Sequence, residues 1–190
     1  MNKTFRALTD EELVKCIIDG NDQAFEELYQ RYSERIFKLL YNYVYNEDDA
    51  VDLMHEVFIR VYRHLRKFDI NRTFSSWIYK IAINCAKNHR YKEHKANTMI
   101  EKEEQRLLRI DGVKTPEDTI LDDELVREFS LAVDALTDKF RDVFILRFGQ
   151  QLQYSDIASI LHISERTAKW RIERAIMFIT DFLKKRGILS

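Results

Sequence analysis

Between Ser164 and Arg174 the chain carries Arg166, Thr167, Lys169, Trp170, Arg171 and Arg174 on what would be the outer face of one helix. Ala168, Ile172, Ala175, Ile176, Ile179, Phe182 and Leu183 recur at helical spacing on the other face, as a buried stripe would. Arginine forks can bond guanine edges in a duplex major groove, each bidentate pair giving roughly 1–3 kcal/mol of discrimination. Lys169 and the Lys184-Lys185-Arg186 run suit phosphates or solvent. Ser164 is a suitable N-cap, and Glu165 complements the positive helix end. The helix before it is short, with Ile157, Ala158 and Leu161 inward, and the small Ala158 lets two helices cross closely. With the break at His162-Ile163-Ser164, residues from about Tyr154 to Arg174 read as a helix-turn-helix.

Other reactive groups do not assemble. Cys85 and His89 are spaced four apart and His94 follows, but a metal centre needs three or four converging ligands, so these read as ordinary helix residues. No metal site or cofactor is expected. The chain has no Gly-rich phosphate loop, nucleophile elbow or paired carboxylates, and so is not read as an enzyme. Cys16 and Cys85 form no disulfide framework, which fits a reducing cytosol and a cytoplasmic protein. No apolar stretch nears membrane-spanning length and the N-terminus lacks a signal-peptide core, so no membrane insertion is expected.

The elements that must hold these residues are helical. The 190 residues include one Pro (Pro116) and four Gly, too few for sheets and their turns, and this favours an all-α fold. Thr9-Asp10-Glu11-Glu12 is a capping-box pattern opening a helix that stops near Gly20. Asn21 is expected to cap a second helix, with Phe25, Leu28, Tyr29, Tyr32, Ile36, Leu39 and Leu40 at helical spacing. Asn46 caps a third, carrying Val51, Met54, Phe58, Val61, Tyr62 and Leu65. After a loop at 69–73, a fourth carries Phe74, Trp77, Ile78, Ile81, Ala82 and Cys85 and then turns basic. Between Glu93 and Asp123 the apolar periodicity fades into an acidic, solvated stretch, partly helical around Met99 to Ile110, with a helix start at Thr115-Pro116. Further helices run through Leu125–Leu136, then from a Thr137 cap to near Gly149, and into the helix-turn-helix. Two small helical domains are therefore expected, at 9–95 and 122–187, joined by an acidic linker at 96–121.

Charge is unevenly placed although the formal net charge is only -1. Lys87, Arg90, Lys92 and Lys95 face only Glu93 in the segment 84–95, whereas Glu47, Asp48, Asp49, Asp52 and Glu56 crowd 45–57 without Lys or Arg. Two basic patches and an acidic one imply more than one partner.

These segments, in this order, resemble a bacterial sigma factor of the compact extracytoplasmic-function (ECF) group. The stretch from Asp49-Ala50-Val51-Asp52-Leu53 to Arg60-Val61-Tyr62 resembles region 2.2 of that family. Phe74-Ser75-Ser76-Trp77-Ile78-Tyr79-Lys80-Ile81-Ala82-Ile83-Asn84 resembles regions 2.3 and 2.4, and Tyr154 through Ile172 resembles the region 4.2 helix-turn-helix. The likeness covers the chain from about Thr9 to Lys185.

The resemblance implies a role for each patch. Asp52, Leu53, Glu56 and Phe58 fall on the surface that docks core RNA polymerase. Phe74, Asn84, Lys87, Asn88 and Arg90 fall where the minus-ten promoter element is read and opened, and Arg166, Thr167, Lys169, Trp170, Arg171 and Arg174 where the minus-thirty-five element is read. Opening needs a surface that favours unstacked bases: amides at Asn84 and Asn88, one turn apart, suit base edges, and Phe74 or Trp77 could stack, with core packing favoured for Trp77. An aromatic stack returns roughly 1–3 kcal/mol per base, against the few kcal/mol that extrusion costs. The partners implied are core polymerase, promoter DNA and an anti-sigma factor, with the free chain monomeric; the linker would run toward the transcript exit path. The chain departs from the family at His162, where Gly is usual, at Ser164-Glu165-Arg166-Thr167, where Pro, a small residue and Gly often precede Thr, and at Trp170, where Ser is common. Trp170 is left open between contact with thymine methyls and packing on a neighbouring helix or regulator. The competing function is a stand-alone helix-turn-helix regulator that binds a palindrome as a dimer without polymerase.

Overall fold

Thr9 opens helix α1 (Asp10–Ile18) with the reciprocal bonds its spacing predicts: Glu12 N donates to Thr9 Oγ1 at 3.2 Å and Thr9 N to Glu12 Oε2 at 2.7 Å. In this computed structural model, which describes residues 5–97 and 123–189, the described residues form α-helices and short tighter or wider turns, with no strand among them. The expected linker at 96–121, with its helix start at Thr115-Pro116, lies almost wholly outside the described residues. The chain divides into two compact units, Met1–Tyr91 and Lys92–Ser190.

In the first unit α1 is followed by α2 (Gln23–Val44), α3 (Glu47–His64) and α4 (Phe74–Asn97). Gly20 turns the chain after α1 at φ +97°, a conformation a side chain disfavours. Asn21 does not cap α2 as expected. Asp22 precedes the helix already in right-handed geometry without a side-chain cap bond, and Ala24 N and Phe25 N bond the carbonyls of Asn21 and Asp22 instead. Asn46 does cap α3, its Oδ1 accepting from Asp49 N at 2.9 Å. The core is built from the inward stripes: Leu28, Tyr32, Ile36, Leu39 and Leu40 of α2, Ala50, Leu53, Val57, Phe58 and Val61 of α3, and Phe74, Ile78, Ala82 and Ile83 of α4.

Two polar ties fasten α1 and the turn before it to this core. Arg31 donates to the Phe5 and Leu8 carbonyls and to Asp10 and Glu27, while Tyr32 OH donates to Asp10. Glu11 Oε1 accepts from Phe74 N at 2.9 Å, so a side chain from α1 satisfies the first amide of α4, 63 positions later in the chain.

The second unit comprises α5 (Asp123–Asp134), α6 (Asp138–Phe144), a wide π-turn over Ile145–Gly149, α7 (Tyr154–Leu161) and α8 (Glu165–Lys185). Ala132, Val133 and Leu136 meet Phe144 and the α8 stripe Ala175, Ile179 and Leu183 in one cluster. Ile176, expected in that stripe, is exposed, and Phe182 is half-buried. Arg141 is buried beneath α5, donating to the Val133 and Asp134 carbonyls and to Asp138. A buried guanidinium with this many acceptors closes the open end of α5 as a cap would. Glu128, also buried, accepts from Arg186 Nη1 at 2.9 and 3.2 Å and joins α5 to the end of α8. Arg186, read from sequence as a phosphate contact or solvent charge, is thus half of a structural ion pair.

Candidate nucleic-acid interface

The helix-turn-helix is assembled from local rules. Asp156 Oδ2 accepts from Gln153 N at the head of α7, and Ile157 and Ala158 turn inward. His162 ends the helix in the left-handed region at φ 54°, and Ile163 N bonds Ala158 O at 3.0 Å. That backbone is why glycine suits this position. Ser164 then caps α8, its Oγ accepting from Thr167 N at 3.1 Å. Ser164 Oγ also lies 2.8 Å from Thr167 Oγ1, so the Thr167 hydroxyl serves the cap.

Past the cap, Arg166, Lys169, Trp170 and Arg174 are exposed and Arg171 is half-buried. Among the described residues none of these four cations makes an ion pair. Trp170 is 47% exposed: one part of the ring lies 6.1 Å from the Phe140 ring, and the Arg174 guanidinium stands over it at 5.7 Å. The ring is therefore both supported by a neighbouring helix and open to solvent.

On α4, Asn84 and Asn88 are exposed, and Lys87 and Arg90 are half-buried. Phe74 is corrected. It is 0% exposed, among the rings of Tyr32 (5.3 Å), Phe68 (6.0 Å) and Trp77 (5.9 Å), and cannot stack on a base without leaving the core. Trp77 is half-buried in the same cluster, 5.0 Å from Phe68. The aromatic that does face outward is Tyr91, 71% exposed. It stands i+7 from Asn84 and i+3 from Asn88, so the three share one face; the same spacing that selected the two amides would have found it. Just before α4, Asp69 Oδ1 accepts from Asn71 N and Nδ2, and Arg72 N bonds Asp69 O, which orders the 69–73 loop.

On α3, Asp52 and Glu56 are exposed, but Leu53 and Phe58 are each 5% exposed. Both belong to the inward stripe, Phe58 meeting the rings of Tyr29 and Phe25, so neither presents itself to a partner. Glu56 pairs with Arg60 one turn on. The apolar group that sequence reasoning missed here is Ile59, 50% exposed beside Glu56.

Cys85 is buried, and burial pushes its thiol up to about 11. Such a group is a poor thiolate ligand. His89 turns to Asp49, Nε2 to Oδ2 at 3.7 Å, and with Glu93 the two offer ligand atoms within 4.8 Å of one another. Of these three half-exposed groups the sequence had singled out only His89, and three converging ligands are as many as an open metal site uses. No described helix is long and apolar enough to cross a membrane.

The chain is similar to known proteins over most of its length. Residues 28–96 match the model of Sigma-70 region 2, and residues 127–179 that of Sigma-70, region 4. The chain is 32% identical over 169 residues to the ECF RNA polymerase sigma factor SigW of Bacillus subtilis, covering 85% of this chain and 89% of that one. It is 33% identical over 174 residues to the ECF RNA polymerase sigma-E factor of Haemophilus influenzae, covering 88% and 92%. Among solved structures, CnrH in complex with the cytosolic domain of CnrY is similar in fold, with a TM-score of 0.67 at 20% identity over 93% of this chain and 97% of that one. The sigma factor RpoE in complex with the anti-sigma factor NepR, from Bartonella quintana, follows with a TM-score of 0.56 at 20% identity over 84% and 96%.

Proposed function

The chain belongs to the extracytoplasmic-function group of bacterial RNA polymerase sigma factors, and from that premise we propose how its surfaces divide the work. As such a factor it binds core RNA polymerase, directs it to promoters and helps to open the DNA for initiation. Residues 9–95 form the domain that docks polymerase and opens the minus-ten element, 96–121 the linker, and 122–187 the domain that reads the minus-thirty-five element. The protein acts in the cytoplasm by binding alone, with no bond-making step of its own.

The observation that carries this division is the row of exposed cations on α8, Arg166, Lys169 and Arg174, none in an ion pair among the described residues. Cations left without an internal acidic partner behind a capped helix start are what a phosphate-lined groove requires. Arg166, Arg171 and Arg174 read base edges, and Lys169 neutralises phosphate. Thr167 contributes through the Ser164 cap.

On α4, Asn84 and Asn88 take the edges of unstacked bases, Tyr91 offers the stacking face that Phe74 cannot, and Lys87 and Arg90 hold the backbone. Strand opening is then differential binding: the face favours bases out of the duplex stack. Asp52, Glu56 and Ile59 form the polymerase-docking patch of α3, an acidic rim around one apolar contact. An anti-sigma factor, as in the solved RpoE complex, would act by covering such surfaces, and the free chain is a monomer.

Run-off transcription tests this reading. Core polymerase with this protein should initiate at a matched promoter, whereas core alone should not. If initiation is no better than with core alone, while the chain binds a palindromic duplex tightly as a dimer, the stand-alone regulator takes its place.

A further inference from the structure

Trp170 occupies a DNA-facing position with a ring too large to ignore, and its surroundings show what the ring does. It is held from one direction by Phe140 of α6 at 6.1 Å, and Lys139 Nζ sits 5.0 Å over that Phe140 ring. The Arg174 guanidinium, one helical turn on, stands over the ring at 5.7 Å from the Trp170 centroid. An indole face is the best of the aromatic platforms for a cation. Arg174 is otherwise exposed on a long, flexible stem, and loss of that freedom on binding opposes any contact it makes. A planar fork resting against a ring that is itself braced from α6 starts with much of that freedom already gone.

We propose that Trp170 is a positioning residue for Arg174: braced by Phe140, its ring holds the guanidinium at the surface of α8 so that Arg174 reads a guanine in the upstream promoter element. Trp170 thus governs base choice through Arg174 rather than by touching a base itself. The inference rests on the reading of α8 as the duplex-reading helix.

The test uses holoenzyme made from core polymerase and the full chain. Promoters carry each base pair of the upstream element changed singly, and equilibrium binding is measured for Trp170→Ala, Trp170→Phe, Arg174→Ala and the double Ala variant. One base pair should lose roughly ten-fold discrimination in Arg174→Ala, and Trp170→Ala should lose most of it at that same pair. The double variant should be no worse than Arg174→Ala, and Trp170→Phe should keep most of the preference, since a ring remains. Loss at different base pairs in the two single variants, or effects that multiply in the double, overturns the proposal. A Trp170→Ala protein that fails to fold leaves Trp170→Phe and Arg174→Ala to decide, because loss of preference in the Phe variant also overturns it. Failure of the underlying reading is seen separately, as Arg166→Ala and Lys169→Ala holoenzymes binding all promoters like the parent.

Discussion

Tyr91 is where strand opening meets a single side chain. Tyr91→Ala should weaken holoenzyme binding to single-stranded minus-ten DNA by roughly five- to a hundred-fold, the cost of one lost base stack, and Tyr91→Phe should retain it; fluorescence anisotropy reads both. Cys85 makes a prediction in pH. Its thiol rises from 9.0 to about 11 on folding because burial disfavours the thiolate. The folded chain therefore holds that proton more tightly than the unfolded one. The stability this contributes is complete below pH 9 and is lost as pH rises toward 11, where the unfolded thiol has already ionised. Urea titrations at pH 8 to 11 should show Cys85→Ala losing less stability over that window than the parent. Tyr32, raised by burial and by its bond to Asp10, adds to the alkaline loss in both proteins. At this scale the sequence was legible only in part. The family motif names which residues matter, but helical phase decides which way each one points. Phe74, Leu53 and Phe58 were drawn to the surface by the motif and returned to the core by phase, whereas Ile59 and Tyr91, which the motif did not single out, lie exposed.

Element boundaries were read more surely, because caps are local chemistry. Thr9, Asn46 and Ser164 each accept the amide bond their spacing foretells. Ser164→Ala should cost the second unit about 1 kcal/mol, measured as a drop in thermal midpoint. The left-handed turn at His162 separates backbone from side-chain effects: His162→Val should destabilise by about 1–2 kcal/mol, and His162→Gly should not. A lower midpoint for the Gly variant than for the parent would mean that the imidazole, not the backbone alone, holds the turn. The sequence was silent where the backbone itself, or a side chain from the next helix, does the capping. Asn21 looked like a cap, yet α2 starts through backbone bonds alone. Arg141 reaches carbonyls seven and eight residues back, across the turn from α5, which a one-turn spacing rule does not cover.

Over the whole chain the formal charge of -1 sets how it meets DNA. With its cations gathered into patches, the free protein should bind duplex only weakly, at about 10⁻⁴ to 10⁻⁶ M near physiological salt. Within holoenzyme, Lys169→Ala should lower the slope of log affinity against log salt by about one while leaving base preference unchanged; filter binding across a salt series measures both. The all-helical class and the division into two parts were legible from composition and periodicity, because scarce Gly and Pro and a fading apolar stripe are properties of whole segments. The Glu11 tie was not legible, since nothing near Phe74 announces that its amide is met from α1. That tie reaches into how the gene can be dissected. A fragment begun at Gln23 keeps every residue of α2, α3 and α4, yet it strips the first amide of α4 of its acceptor and deprives Arg31 and Tyr32 of Asp10. The working boundary of the first domain therefore lies at the head of α1, a helix that touches neither promoter nor polymerase in the division of labour proposed above.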